Sequence, residues 1–279
     1  YYSPQLFERR EKLMPFTWNY IYKNGKLFGD SLNNSKFSLT NNMIFSYPGY
    51  NEILTGNADP TIKSNAKIYN KNVTVLEKLN QTNNYKNKIA AFASWDVFPY
   101  IINDKRSGIP VNAGYMEELN IKTPVVDYIN KNQKRTPIIW ENVRLDVYTH
   151  NLALEYIKKK KPKLVYIAYG ETDDFAHGEK YDFYINSLNY TDNMIAELWG
   201  YVQSNKFYKD NTYFIITTDH GRGLMEDWAG HGTSKASWLA ILGPNIEKTG
   251  LVEGEFFTNQ IAETIMQISK KSKTKIPTD

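Results

Sequence analysis

Apolar positions along the chain follow two periods in turn. Largely apolar stretches at 88–94, 164–169, 212–218 and 238–242 have the length and character of buried strands. Between them, apolar residues recur at steps of three and four. The clearest case is 181–205, where Tyr184, Leu188, Thr191, Ile195, Leu198 and Val202 share one helical face. Residues 142–159 repeat the pattern through Val143, Val147, Leu154 and Ile157, and 72–79 and 258–268 read as shorter helices. Residues 3–24 read as a helix with Phe7, Met14, Trp18 and Ile21 as its apolar stripe, Pro15 interrupting it and Gly25 at its end. Residues 26–40 are strand-like around Leu27 and Phe37. The stretch 99–137 is irregular, punctuated by Gly108, Pro110, Gly114 and Pro124, and reads as an insertion or cap over the sheet's ligand-binding edge.

Strands that alternate with helices predict parallel pairing with helices on both faces. The expected fold class is α/β, a three-layer α/β/α sandwich with a mostly parallel central sheet. No repeat or low-complexity linker divides the chain, so a single domain over 1–279 is expected, and that length is enough for a sizeable core.

Composition narrows the chemistry. The absence of cysteine excludes a disulfide framework, a Cys-type zinc site and a thiol nucleophile. Net charge is +4, with much of the excess in Lys158-Lys159-Lys160-Lys161-Pro162-Lys163. At a helix C-terminus such a run favours the dipole, so no nucleic-acid partner is expected. No apolar run approaches the roughly 20 residues of a membrane span, so no integral membrane segment is expected. No signal peptide is expected within these residues, and the start, Tyr1-Tyr2-Ser3-Pro4, is not expected to be a natural N-terminus. In so asparagine-rich a chain, Asn-x-Ser/Thr triplets such as Asn72-Val73-Thr74 are expected to be chance matches.

Three of the four histidines fall in three segments that look made to meet. The run Ile215-Ile216-Thr217-Thr218 ends abruptly at Asp219-His220-Gly221, and open α/β sheets place ligands at such carboxyl ends. The 164–169 run delivers Asp173 and His177, one helical turn apart. His231 lies between Gly230 and Gly232, where the backbone can turn tightly. Imidazole and carboxylate together suit zinc, manganese or iron rather than calcium. A lone Asp-His pair is more often a hydrogen-bonded loop, but three such segments together point to metal. His150, mid-helix and without such a partner, is expected at the surface or the core edge.

A hydroxyl nucleophile is available at Ser46. It opens Ser46-Tyr47-Pro48-Gly49, a turn that leads into a short helix ending at Gly56. There it could serve an incoming phosphate beside free helix N–H groups, or simply cap the helix.

With these segments in order, the chain resembles the alkaline phosphatase superfamily. Asp173-x-x-x-His177, Thr218-Asp219-His220-Gly221 and His231-Gly232 carry the metal pattern. Ser46-Tyr-Pro-Gly-Tyr-Asn-Glu-Ile-Leu-Thr-Gly56 is similar to the nucleophile segment of the type I phosphodiesterase/nucleotide pyrophosphatase branch. The resemblance implies two divalent metal ions, zinc with manganese as the alternative. One would be held by Asp173, His177 and His231, the other by Asp219, His220 and the Ser46 hydroxyl. It implies a phosphodiesterase or phosphatase that acts on a small-molecule phosphate ester through a phosphoseryl intermediate on Ser46. It also implies a bacterial protein, secreted or periplasmic. Arg222, Asn70 and Asn72 are candidate phosphate contacts, and Trp95, Phe98, Tyr100 and Tyr115 are candidates to stack on a leaving group or to fill the core.

Two departures matter. The superfamily carries a further metal-ligand Asp at the end of a first strand ahead of the nucleophile, and no such strand precedes Ser46 here. The expectation is that the chain begins after that strand. A metal-deficient binding protein that keeps the fold is therefore the alternative reading. Sulfatases use a Cys/Ser-x-Pro-x-Arg pattern, and Tyr50 stands where Arg is needed, which disfavours sulfate ester hydrolysis. A metal-dependent phosphoglycerate mutase is disfavoured too, because it needs a long inserted domain.

Overall fold

The computed structural model describes residues 5–271. The chain begins with α1 (Gln5–Leu13), a π-helical turn over Thr17–Ile21 and α2 (Tyr22–Asn24), so the expected first helix is broken at Pro15; positions 3 and 4 lie outside the described residues. Then come β1 (Lys26–Phe28), β2 (Ser35–Ser38), α3 (Ser46–Thr55), α4 (Val75–Asn80), β3 (Ile89–Ala93), α5 (Phe98–Ile102), α6 (Asp104–Ser107), β4 (Val111–Ala113) and α7 (Pro124–Asn132). The second half holds α8 (Asp146–Lys160), β5 (Leu164–Ala168), α9 (Glu171–His177), α10 (Tyr181–Ser204), β6 (Phe214–Thr217), β7 (Leu239–Leu242), β8 (Gly250–Leu251), β9 (Gly254–Phe257) and α11 (Gln260–Lys271).

The break at Pro15 has a partner. Proline disrupts the helical ladder around it, and the amides that follow turn to Asp192 on α10. Its carboxylate accepts from Phe16 N at 2.6 Å, Thr17 N at 3.0 Å and Thr17 Oγ1 at 2.6 Å. These bonds anchor the N-terminal helices on α10.

The strands form a parallel sheet in the order β4-β3-β5, a mixed sheet in the order β6-β7-β1-β8, and a parallel pair of β2 with β9. The parallel expectation holds in the first sheet and fails at β7, which is antiparallel to both β6 and β1. No α-helix lies between β6 and β7, so the chain has no crossover to carry it back to the same end.

The stretch expected to be a cap is largely built into the layers. β4 extends the sheet beside β3, and α7 packs on α8 through Val126, Ile129, Leu152 and Tyr156. Of the two places expected for His150, the structure shows the core edge: on α8 and itself buried, it meets the Tyr169 hydroxyl through Nδ1 at 2.9 Å and the largely exposed Glu197 of α10 through Nε2 at 3.2 Å. Burial holds this imidazole below its ordinary pKa. The lysine run closes α8, as its charge predicts. Among the described residues no helix is long and apolar enough to cross a membrane.

One feature departs from a closed sandwich. β3 is buried along its whole length, whereas β5 and β6 are only half-buried. Each pairs on one side only. Yet Val165, Ile167 and Phe214 share a cluster with Leu154, Ile157, Leu198 and Val202 of α8 and α10. Tyr166 and Ile215 share the opposite cluster, which includes Ile53 of α3 and Ile261 of α11. The two strands therefore lie within one sandwich, and a cavity of 1380 Å³ runs between them.

Candidate active site

Two strand ends and one loop assemble the site. β6 stops at Thr217, and Asp219 and His220 follow at once. The next position must be glycine, since a Cβ on Gly221 would lie 2.2 Å from the Ala236 carbonyl oxygen. β5 leads into α9, which presents Asp173 and His177 one turn apart. The start of α9 is held by Asp146, whose buried carboxylate accepts from Gly170 N at 2.7 Å and Glu171 N at 3.0 Å. Burial first, then the nearby Glu171 charge, pushes the Asp146 carboxyl up to about 7.

Asp173 is the hub. Its Oδ2 lies 3.3 Å from His177 Nε2, and its Oδ1 lies 3.7 Å from both His220 Nε2 and His231 Nε2. His177 Nε2 and His231 Nε2 are 3.1 Å apart, and His220 Nε2 is 3.4 Å from Asp219 Oδ2. Donor atoms about 2.0–2.2 Å from a tetrahedral zinc ion stand roughly 3.3–3.6 Å from one another, so this spacing is that of ligands around an ion. Asp173, His220 and His231 form such a group, each offering one ligand atom within 4.8 Å of the other two. The two ligand sets expected from the sequence thus converge on one carboxylate. His220 is oriented from behind, with Nδ1 at 2.9 Å from the Gly221 carbonyl, the kind of outer contact that fixes an imidazole's tautomer.

Ser46 joins this cluster, with its Oγ 3.4 Å from His220 Nε2. It is the first residue of α3 and does not cap it; Phe45 holds the N-cap position in extended backbone. The helix comes close because position 49 has no side chain, since a Cβ on Gly49 would lie 2.1 Å from the Asp219 carbonyl oxygen. The N–H groups expected to serve a phosphate are partly engaged. Tyr47 N donates to Asn65 Oδ1 at 3.0 Å, and Pro48 has none.

The approach to Ser46 is held under strain. Ile44 has φ +54°, unfavourable for a β-branched residue. Asn41 Oδ1 accepts from Met43 N and Ile44 N at 3.0 Å each, which holds that bend. Asn41 and Thr40 are in turn tied to Glu52 on α3, which is 0% exposed and accepts from Thr40 N at 2.8 Å, Asn41 N at 2.9 Å and Asn41 Nδ2 at 2.7 Å. Glu52→Ala leaves these buried donors without an acceptor, an expected loss of about 3–5 kcal/mol that the urea midpoint will read.

A model of the sulfatase family matches residues 44–244. The chain belongs to the sulfatase family. That family-level match spans Ser46 and all three histidine-bearing segments. Solved structures agree on the fold, which is that of the alkaline phosphatase superfamily. The lipoteichoic acid synthase LtaP of Listeria monocytogenes matches at TM-score 0.63 and 13% identity over 92% of this chain and 65% of that one. This sulfatase-family chain thus spans less than two thirds of that protein's length. The phosphonate monoester hydrolase SpPMH of Silicibacter pomeroyi matches at 0.56 and 12% over 92% and 68%. A TAB5 alkaline phosphatase mutant with Mg bound in its M3 site matches at 0.55 and 14% over 91% and 90%. A search of curated proteins returned no match. Members of the superfamily are metal-dependent, and the Asp173 cluster is a possible metal-binding site.

Of the other residues singled out in the sequence of this sulfatase-family protein, Arg222 reaches the cluster and the two asparagines are bonded elsewhere. Asn70 Nδ2 binds Asn51 Oδ1 and the Ile101 carbonyl, and Asn72 Nδ2 binds Asn51 Oδ1 and Asp59 Oδ2, so both amides brace α3 from outside the site. Arg222 is engaged within the protein, with Nη1 on the Ala229 carbonyl and Nη2 on the Asp173 carboxylate. Phe98 is core, edge-on to Tyr50 and Trp95, and the Tyr115 hydroxyl bonds the Trp140 carbonyl.

Three residues were not legible from pattern. Asn65, Lys67 and Asp174 line the same cavity as Ser46, Asp173 and Asp219. The first two sit in an irregular stretch with no period to mark them. Lys67 is paired with Asp96 at 2.6 Å. Burial first, then the Asp173 charge, pushes the Asp174 carboxyl up to about 7. Burial alone would raise Asp173 too, but hydrogen bonds from His177 and His231 and the charges of His220 and Arg222 hold it well below the usual carboxylate range. Burial raises Asp219, against the opposing pull of His220.

Proposed function

We propose that this sulfatase-family protein is a metal-dependent phosphoric ester hydrolase in which Ser46 is the nucleophile. The observation that carries this reading is the contact of Ser46 Oγ with His220 inside a cluster of donors at metal-ligand spacing. Asp173, His177 and His231 would hold one divalent ion, and Asp219, His220 and Ser46 the other, with zinc favoured and manganese the alternative. Bound metal supplies positive charge that lowers the pKa of the serine hydroxyl and neutralises the phosphoryl group. Ser46 Oγ then attacks phosphorus, the ester oxygen leaves on the opposite side, and water cleaves the phosphoserine. The dipole of α3 favours negative charge beside Ser46. Arg222, tied to Asp173, positions that carboxylate rather than binding substrate.

The family match favours a second reading, sulfate ester hydrolysis. Tyr50, half-buried and edge-on to Phe98 at the place where the sulfatase pattern has Arg, argues for phosphate. The two readings separate in one assay of the metal-loaded protein against p-nitrophenyl phosphate, bis(p-nitrophenyl) phosphate and p-nitrophenyl sulfate. Turnover of either phosphate ester without the sulfate is the expected result. Turnover of the sulfate alone would reverse the assignment, and no turnover of any ester would favour a binding protein that keeps the fold.

A further inference from the structure

We infer that the end of the molecule from which β3, β5 and β6 start is a docking face for a bilayer rich in anionic lipid. This inference stands apart from the choice of ester. Three segments distant in sequence meet there. Residues 81–88 lead into β3, 155–163 end α8 and lead into β5, and 204–211 follow α10 on the way to β6. Lys163 N and Leu164 N donate to the Lys88 carbonyl at 2.8 and 3.2 Å, and the Lys163 ammonium bonds Asn84. The buried Tyr208 donates its hydroxyl to the carbonyls of Ile157 and Pro162. These bonds hold the three segments as one surface.

Charge is concentrated on that surface. The three segments carry nine lysines against Glu155 and Asp210, a net charge of +7. The whole chain carries +4, so all its other residues together are net −3. Among the described residues only one of the nine ammonium groups is paired with a carboxylate, Lys158 with Glu155 at 2.9 Å. Lys159, Lys160, Lys161, Lys206 and Lys209 are exposed. Burial first, then the Lys88 charge, holds the Lys163 ammonium below its ordinary pKa. A helix C-terminus carries about half a negative charge, which the five lysines of the run exceed several-fold. The excess is left for an external anion.

An apolar group stands amid this charge. Phe207 is 39% exposed, and its ring is held edge-on to the anchored Tyr208 at 4.9 Å. The Lys161 ammonium lies 5.7 Å from the Phe207 ring centroid. Exposed lysines around a fixed aromatic ring suit the headgroup layer of a bilayer. The ammonium groups meet lipid phosphates, while the ring and the lysine stems enter the acyl boundary. Duplex nucleic acid suits the face less well, because it has no apolar layer for Phe207, and the three segments hold no arginine, the side chain best matched to its phosphates. Docking here would also orient the site. β5 and β6 start at this face and lead at their other ends to Asp173 and Asp219. The length of β5 puts the cluster roughly 16 Å or more from the lipid. The site would then serve esters in solution rather than headgroups of the same bilayer.

Vesicle co-sedimentation tests this, whether or not any ester is turned over. The protein is expected to bind phosphatidylcholine vesicles that contain phosphatidylglycerol, to leave them at high salt, and not to bind pure phosphatidylcholine. Lys158→Gln, Lys159→Gln, Lys160→Gln and Lys161→Gln combined should weaken that binding by roughly 100-fold or more, and Phe207→Ala by roughly 10-fold. Both variants should keep the parent's thermal midpoint within a few degrees and its turnover in solution. If the fourfold variant does not fold, Lys206→Gln with Lys209→Gln reads the same face from the neighbouring segment, with a loss of roughly 10-fold. No binding to the mixed vesicles would overturn the inference. So would equal binding by the folded lysine variants, equal binding to pure phosphatidylcholine, or complete displacement from mixed vesicles by duplex DNA at equal phosphate concentration, which would give the face to nucleic acid.

Discussion

Ser46→Ala is expected to lower turnover of the preferred p-nitrophenyl phosphate ester by roughly 10⁴-fold or more, the scale on which loss of a covalent nucleophile acts. The side chain does not cap α3 and fills no core position, so the thermal midpoint should stay within a few degrees of the parent. The contrast between these readouts is the point of the variant. A structural serine would lower both or neither. Rapid quenching of the parent with a radiolabelled phosphate ester should trap label on residue 46, and the alanine variant should trap none. Turnover equal to the parent would remove Ser46 from the chemistry and return the site to metal-activated water or to simple binding.

The second large effect is expected at Asp173. This one carboxylate faces His177, His220, His231 and Arg222, so its loss removes both a donor and the counter-charge for its neighbours. Removing a group that only supports a metal ligand costs about 10–100-fold in affinity. Asp173→Ala should therefore weaken zinc binding by more than roughly 100-fold, with turnover falling in step. Asp173→Asn keeps the shape and most hydrogen bonds but not the charge, and should fall between the two. Isothermal titration with zinc on the three proteins reads the order directly. Unchanged zinc affinity in Asp173→Ala would move the metal centre away from this cluster. Retained affinity with lost turnover would leave Asp173 a positioning residue for the histidines.

Much of this site could be read without coordinates because its parts are short local patterns. An apolar run that stops at Asp219-His220-Gly221 is a strand end in any environment, and Asp173 and His177 lie one turn apart once α9 forms. The glycines are legible for a related reason. At 49 and 221 a side chain would strike a facing carbonyl, so the sequence records contacts that it cannot name. Asn70 and Asn72 misled because amides between a nucleophile and a strand suit phosphate binding and scaffold bonding equally well. Their partners Asn51 and Asp59 are distant enough in sequence that no pattern joins them to these amides. For His150 the surface and the core edge both stayed open, because helical spacing places a residue on a face without saying which neighbour covers it.

By itself the sequence determined the strand and helix periods, the α/β class, the serine that opens α3 and the three segments that carry histidine. Each depends on residues within one or two turns of one another, where covalent connection sets the geometry. Tertiary structure alone decided that Asp173 stands at the centre, that Arg222 braces it, that part of the presumed cap is a sheet strand, and that β5 and β6 face a gap. Those outcomes depend on which edges and faces meet across long separations, and hydrophobic period carries no record of the partner.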